Sequence, residues 1–317
     1  MSSSGARSGR SLGMLLVLAA AVCWSLSGVG IKQVPAGALA ITGLRALFAT
    51  PVFLGVLAWR ARPFGLKPVL RFLLAQREVW LVALCYAWTV SSFVAANQLT
   101  TAANAILLQY TAPIYVVLLS WPLLGERVRP ADVVAVLGCV AGVLALFLDR
   151  LTPAGIVGNL VAMGSGAGLG LVPLLLRRAE RPQPGDSAHE HLELRPLAGG
   201  AALLLGNTLT VVIGLPWALG ALASSLPPAS WAVLVGLGTV QIGAAYLFYA
   251  AGVRRLRAIE CLMVSSLEPI LNPVWVALAT GERPGRPALV GGALIVLSVV
   301  GHGVFVELAR RRPATAG

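Results

Sequence analysis

Residues 102–127 read AANAILLQYTAPIYVVLLSWPLLGER, and residues 258–283 read AIECLMVSSLEPILNPVWVALATGER. Laid over one another at an offset of 156 positions, Pro113 falls on Pro269 and Ala102 on Ala258. Gly125-Glu126-Arg127 falls on Gly281-Glu282-Arg283, and Phe93, just upstream, meets Tyr249. Each stretch is apolar over about 20 residues, the length that crosses a hydrocarbon core of about 30 Å. Working outward, similar runs can be drawn near 12–31, 38–59, 79–97, 103–123, 131–148, 155–176, 197–220, 230–251, 258–280 and 287–306. The repeated stretches are the fourth and ninth of these. They stand five places apart in the order of spans, an odd offset, so the two copies point in opposite directions through the bilayer.

The expected fold is therefore an all-α integral membrane protein with ten transmembrane helices arranged as two inverted five-helix repeats. A short tail (1–10) precedes the first repeat (11–148). Residues 149–195 hold the sixth helix and a hydrophilic linker (177–195), the second repeat covers 154–306, and a tail (307–317) closes the chain. The run 12–31 behind a basic N-terminus, with Ala19-Ala20-Ala21 inside it, has some features of a cleavable signal peptide. Its length and the nine spans after it favour a first transmembrane helix.

Composition agrees. The 317 residues are 57% hydrophobic and 11% charged, with a mean hydropathy of +0.84. A soluble domain carries roughly 25% charged residues. The net charge of +12 would suggest a nucleic-acid partner in a soluble protein. Here the charges sit in short loops, so they report orientation instead. With the N-terminus inside, 19 of the 24 Lys and Arg residues fall on inner segments, four fall outside, and Arg45 lies within a span. That bias predicts a multi-pass protein of the cytoplasmic membrane with both termini cytoplasmic.

Several residues stand out inside the spans. Pro113 and Pro269 each break a helix and free a carbonyl four residues earlier, on Gln109 and Ser265; Pro273 repeats the effect one turn on. Such breaks face a cavity or another helix, or are simple kinks. Glu268 is the sharpest feature, a carboxyl about ten residues into its span beside Ser265, Ser266 and Asn272. At that depth it costs about 3 kcal/mol and suits proton coupling or binding of a substrate amine. A protonated or helix-paired structural carboxyl is the alternative. Arg45 is read as snorkelling or as a structural ion pair, with attraction of an anionic group as the other option.

Trp24, Tyr86, Trp88, Gln109, Tyr110, Gln241 and Tyr246, with Glu268 and Asn272, form a candidate substrate-binding or coupling set of aromatics and amides. For any one of them, packing or a helix–helix hydrogen bond is the competing role. The glycine-rich 164–168 and 138–142 stretches predict close helix contact. No cofactor, metal site or disulfide is expected. Cys23, Cys85, Cys139 and Cys261 lack ligand spacing, and His189 and His191 lie in the linker. The two lysines, Lys32 and Lys67, end no phosphate-binding glycine loop.

These residues resemble the drug/metabolite transporter superfamily, specifically its EamA-type members. The resemblance rests on Trp24, Lys32, Arg45, Pro113 and Glu126 in the first half and Arg177, the Glu268-Pro269 pair and Glu282 in the second, and it covers roughly 12–306. One departure is Leu169, where the pattern has a second Trp. The resemblance implies a ten-helix, inverted-repeat secondary carrier with a central cavity that exports amino acids or related small metabolites, and the deep carboxyl of Glu268 makes protons a candidate coupling ion. Its partners are then a small-molecule substrate and the lipid bilayer. Two rival classes are an integral membrane enzyme acting on lipid or lipid-linked substrates and a non-transporting scaffold or sensor. The first would need acid–base or metal groups converging near one interface, and none is visible. Substrate, direction and oligomeric state are not specified by any of these residues.

Overall fold

Long runs of Leu, Val and Ala satisfy every backbone group internally when helical, which is the condition for residence in lipid. The computed structural model describes residues 3–100, 102–147, 155–182, 193–223, 226–280 and 286–311. These residues form helices joined by short turns, with no strand among them. In chain order the helices are α1 (Ser3–Ser25), α2 (Ser27–Lys32), α3 (Ala38–Arg60), α4 (Leu66–Leu74), α5 (Arg77–Leu99), α6 (Ala102–Gln109), α7 (Ala112–Leu124) and α8 (Pro130–Phe147). Then follow α9 (Ile156–Ala179), α10 (Ala198–Ala223), α11 (Pro228–Gly236), α12 (Ala245–Val253), α13 (Ala258–Ser265), α14 (Glu268–Thr280) and α15 (Arg286–Arg311).

Seven helices among the described residues are long and apolar enough to cross a membrane: Ala38–Arg60, Arg77–Leu99, Asn104–Leu124, Ile156–Ala179, Arg195–Ala221, Pro228–Val253 and Leu289–Val306. Gly9–Ser25 and Pro130–Ala145 are apolar but shorter. The difference from ten has local causes. The first run turns at Leu26, between α1 and α2, and the ninth is divided at Ser266 and Leu267 into α13 and α14. Residues 148–154, beyond the fifth run, lie outside the described residues. So do His189 and His191 of the linker and the Gly281-Glu282-Arg283 copy.

The broken helices carry the repeat. Ala102–Gln109 and Ala112–Leu124 recur 156 positions later as Ala258–Ser265 and Glu268–Thr280, boundary for boundary. Pro113 and Pro269 sit in the first turn of the second piece, where a missing N–H is harmless and the fixed φ suits a helix start. Gly125 then ends α7 with φ 65, a left-handed conformation that favours glycine, and its N–H bonds Trp121 O at 2.8 Å.

Two elements depart from the plain pattern of apolar α-helical spans. α4 is a short amphipathic helix with Val69 and Leu73 buried and Lys67 and Arg71 on it, as suits a membrane interface. Leu237–Ala244 is a π-helical segment between α11 and α12. Extra-residue turns of this kind re-aim side chains and cluster at functional sites.

The helices pack in specific pairs: α3 along α10, α5 along α9, α8 along α15, and α1 along α12. Small residues set the closest of these. A Cβ on Gly214 of α10 would stand 2.5 Å from Gly43 Cα of α3, so the two backbones touch. Asn207 of α10 reinforces the contact, donating to Ala46 O at 2.7 Å and Thr50 Oγ1 at 2.9 Å.

Ion pairs tie the helix ends and adjoining loops together. Glu126 accepts from Arg177 and from Arg181 (2.9 Å), and Arg10 pairs with Glu260 at 2.9 Å. Asp132 lies 2.9 Å from Arg257 and 2.7 Å from His302, and Glu180 lies 2.9 Å from Arg254. The repeated Gly-Glu-Arg motif thus has a physical sense in its first copy: Gly125 stops the helix and Glu126 clamps α9. Glu180, just past the end of α9, is half-buried, and its desolvation pushes the carboxyl up to about 7, against the pull of Arg254, Arg60 and the Gly199 backbone.

Candidate functional site

Where α1, α3, α5, the α6–α7 break, α9, the π segment and the α13–α14 break converge, they enclose a cavity of about 60 Å³. Its lining includes Trp24, Arg45, Gln109, Tyr110, Gln241, Tyr246 and Glu268. The space holds no more than a few waters, so a metabolite enters only when the walls part. A larger, largely apolar groove of about 550 Å³ lies between α1, α13 and α15, lined by Met14, Leu18, Val299 and Val304 among others, with Arg10 on its wall. It offers little polar chemistry and suits lipid chains.

Two freed carbonyls, on Gln109 and Ser265, are placed where the proline rule puts them. Ser265 O lies 3.1 Å from the Tyr110 hydroxyl, which is also 2.7 Å from Glu268 Oε2. A hydroxyl carries one proton, so it cannot donate to both. Both contacts are satisfied when Glu268 is protonated: it donates to Tyr110 Oη, and Tyr110 donates to Ser265 O. Loss of the Glu268 proton turns the Tyr110 hydrogen to the carboxylate and strips the Ser265 carbonyl of its donor. The first half's break is therefore wired to the second half's break through one ionisable group. The Gln109 carbonyl lies over Gly166, in the space a side chain would fill, and the Gln109 amide donates to Ser165 Oγ at 2.9 Å.

Arg45 turns inward. It is 3% exposed, Nη1 donates to Gln241 Oε1 at 3.3 Å, and Nε has no partner. The guanidinium neither snorkels to an interface nor meets a carboxylate among the described residues. Gln241, its one partner, belongs to the π segment. Behind it stands a cluster of rings: Trp24 lies 5.0 Å from Tyr246 and 5.1 Å from Tyr249, and Tyr86 lies 4.7 Å from Tyr246.

Of the residues singled out by sequence, Glu268, Trp24, Gln109, Tyr110, Gln241 and Tyr246 come together on the cavity wall. Tyr86 is one layer back, fully buried beneath Tyr246 with its hydroxyl 3.4 Å from Asn207 Oδ1. Trp88 points away. It is 55% exposed, and its indole N–H bonds Gly164 O at 3.0 Å. The side chains of Asn272 and Pro273 lie outside those described. Sequence reasoning missed Ser27, Thr89, Phe93 and Ser265 as lining residues, and it did not place Leu169 there. Small hydroxyls at helical spacing carry no signal that separates a cavity face from a packed one. Among the described residues, no group of three His, Cys, Asp or Glu side chains is placed to hold a metal.

An all-helical membrane body with broken helices meeting at a buried polar cavity defines a membrane transporter architecture. Comparison with known proteins gives the family. The model of the EamA-like transporter family matches residues 11–148 and 193–303, and the chain belongs to that family. It is 29% identical over 291 residues to an uncharacterized transporter of Archaeoglobus fulgidus, covering 91% of this chain and 95% of the relative. It is 27% identical over 309 residues to the aromatic amino acid exporter YddG of Ancylobacter novellus, covering 95% and 99%. A solved crystal structure superposes with a TM-score of 0.73 at 25% identity, covering 96% of this chain and all of the other.

Proposed function

We propose that this transporter is a ten-span secondary carrier of the cytoplasmic membrane, built of two inverted halves, that exports amino acids or related metabolites and is coupled to protons through Glu268. The observation that carries this reading is the Tyr110 bridge between Glu268 and Ser265, which makes the geometry of both helix breaks depend on one proton. The helix pairing supports the inverted halves. Exchanging first-half spans for their second-half counterparts turns the α1·α12 contact into α5·α9 and leaves α3·α10 and α8·α15 unchanged. The matching breaks of α6–α7 and α13–α14 support it independently. The lysine and arginine bias supports cytoplasmic termini, which puts the Glu126–Arg177 and Asp132–Arg257 pairs on the inner side, as a closed inner gate. The one substrate named among the relatives, aromatic amino acids for YddG, makes those compounds the first to test.

The test is flux from proteoliposomes loaded with labelled phenylalanine, measured across a pH series. Glu268→Gln fixes the protonated arrangement, so flux should fall at least about tenfold and lose its pH dependence. Full-rate transport with an unchanged pH profile would remove Glu268 from coupling.

A further inference from the structure

The cavity wall carries two side chains of opposite charge that are not spent on each other. Among the described residues, Glu268 is held by the Tyr110 hydroxyl alone. Arg45 has five N–H groups, of which one makes a long bond to Gln241 and Nε makes none. A guanidinium that is 3% exposed within a bilayer-spanning helix is costly unless something negative completes it, and among the described residues no carboxylate does. An ionisable residue inside the membrane with no oppositely charged side chain beside it is where a ligand's charge is expected. Among the described residues, Arg45 is also the only basic residue on the cavity wall, and Glu268 the only acidic one.

We propose that Arg45 and Glu268 form a zwitterion site, in which Arg45 takes the carboxylate of an α-amino-acid-type substrate and deprotonated Glu268 takes its ammonium. The reading rests on the carrier proposal above and adds which chemical groups the carrier requires. The guanidinium fork matches a carboxylate in two parallel bonds, a geometry that lysine or an amide does not offer. Gln241 holds the fork from the second half, so the carboxylate subsite is shared by both halves and forms only when α3 and the π segment are in register. Trp24, Phe93 and Tyr246 supply apolar wall for the substrate's side chain. A purely structural Arg45 predicts no dependence of transport on the ligand's carboxylate.

The experiment uses the full chain in liposomes and four probes that share one side chain: phenylalanine, phenylalaninamide, phenethylamine and 3-phenylpropionate. For the unaltered protein, phenylalanine flux should exceed each of the other three by about tenfold or more, because a buried polar group left unpaired rejects the analogue strongly. In Arg45→Gln the ratio of phenylalanine to phenylalaninamide flux should collapse to about one, with Arg45→Lys in between. If the amide or the acid crosses as fast as phenylalanine in the unaltered protein, or if Arg45→Gln keeps the original ratio, the zwitterion site is wrong while the carrier stands. If none of the four crosses, the amino-acid carrier reading falls and this inference with it. The comparison within the unaltered protein decides the matter even where Arg45→Gln does not fold.

Discussion

At the scale of single residues, the chain uses burial to hold ionisable groups for work. Glu180 illustrates this outside the bilayer. Its carboxyl is pushed up to about 7 from an ordinary value near 4.5, chiefly by burial, with Arg254 and Arg60 pulling the other way. The folded state therefore binds this proton more tightly than the unfolded state does. Its contribution to stability is complete below the ordinary value and is lost as pH rises through about 7. Thermal unfolding of the purified protein should show lower stability at about pH 8 than at about pH 5, and Glu180→Gln should flatten that difference. An identical pH dependence in the variant would mean that Glu180 titrates normally. For Arg45 and Glu268, deeper in, the partner proposed above is a ligand's charge instead of a fixed side chain.

At the scale of elements, the breaks and close approaches decide the geometry. Gly43 and Gly214 bring α3 and α10 into backbone contact, which in turn sets Arg45 against the π segment. Gly214→Val should destabilise the bundle by about 1–3 kcal/mol through overpacking, read as a lower unfolding temperature in detergent. Gly220→Ala, on the same helix with open space around it, should be neutral or slightly stabilising. Equal effects of the two would mean that the α3–α10 contact is looser than described.

Much of this level is legible in the sequence. Pro113 and Pro269 mark both breaks, and Gly125 of the first Gly-Glu-Arg copy marks the end of α7, because proline and glycine act through local backbone geometry. The π segment is not legible, since Leu237–Ala244 has the composition of any apolar helix. Nor is the direction of Arg45, whose long stem reaches an interface or a cavity equally well. Tyr86 and Trp88 show the same limit: two residues apart on α5, one is buried under Tyr246 and the other faces outward, and only the packing of α9 and α10 decides which.

At the scale of the whole molecule, the proposed carrier is a pair of oppositely oriented halves that meet at Glu268, with one end clamped by the pairs of Glu126, Asp132, Glu180 and Glu260 with their arginines. Opening toward the clamped side would require those pairs to part, while opening to the other side leaves them intact. The direct test of the inverted arrangement is labelling of single cysteines, in a cysteine-free background, by a membrane-impermeant maleimide in intact cells. Cysteines placed at Gln33 and Ala229 should react at once, and those at Arg62 and Arg255 only after permeabilisation. Labelling of Arg255 from outside, or protection of Ala229, would contradict the opposed halves and the carrier built on them.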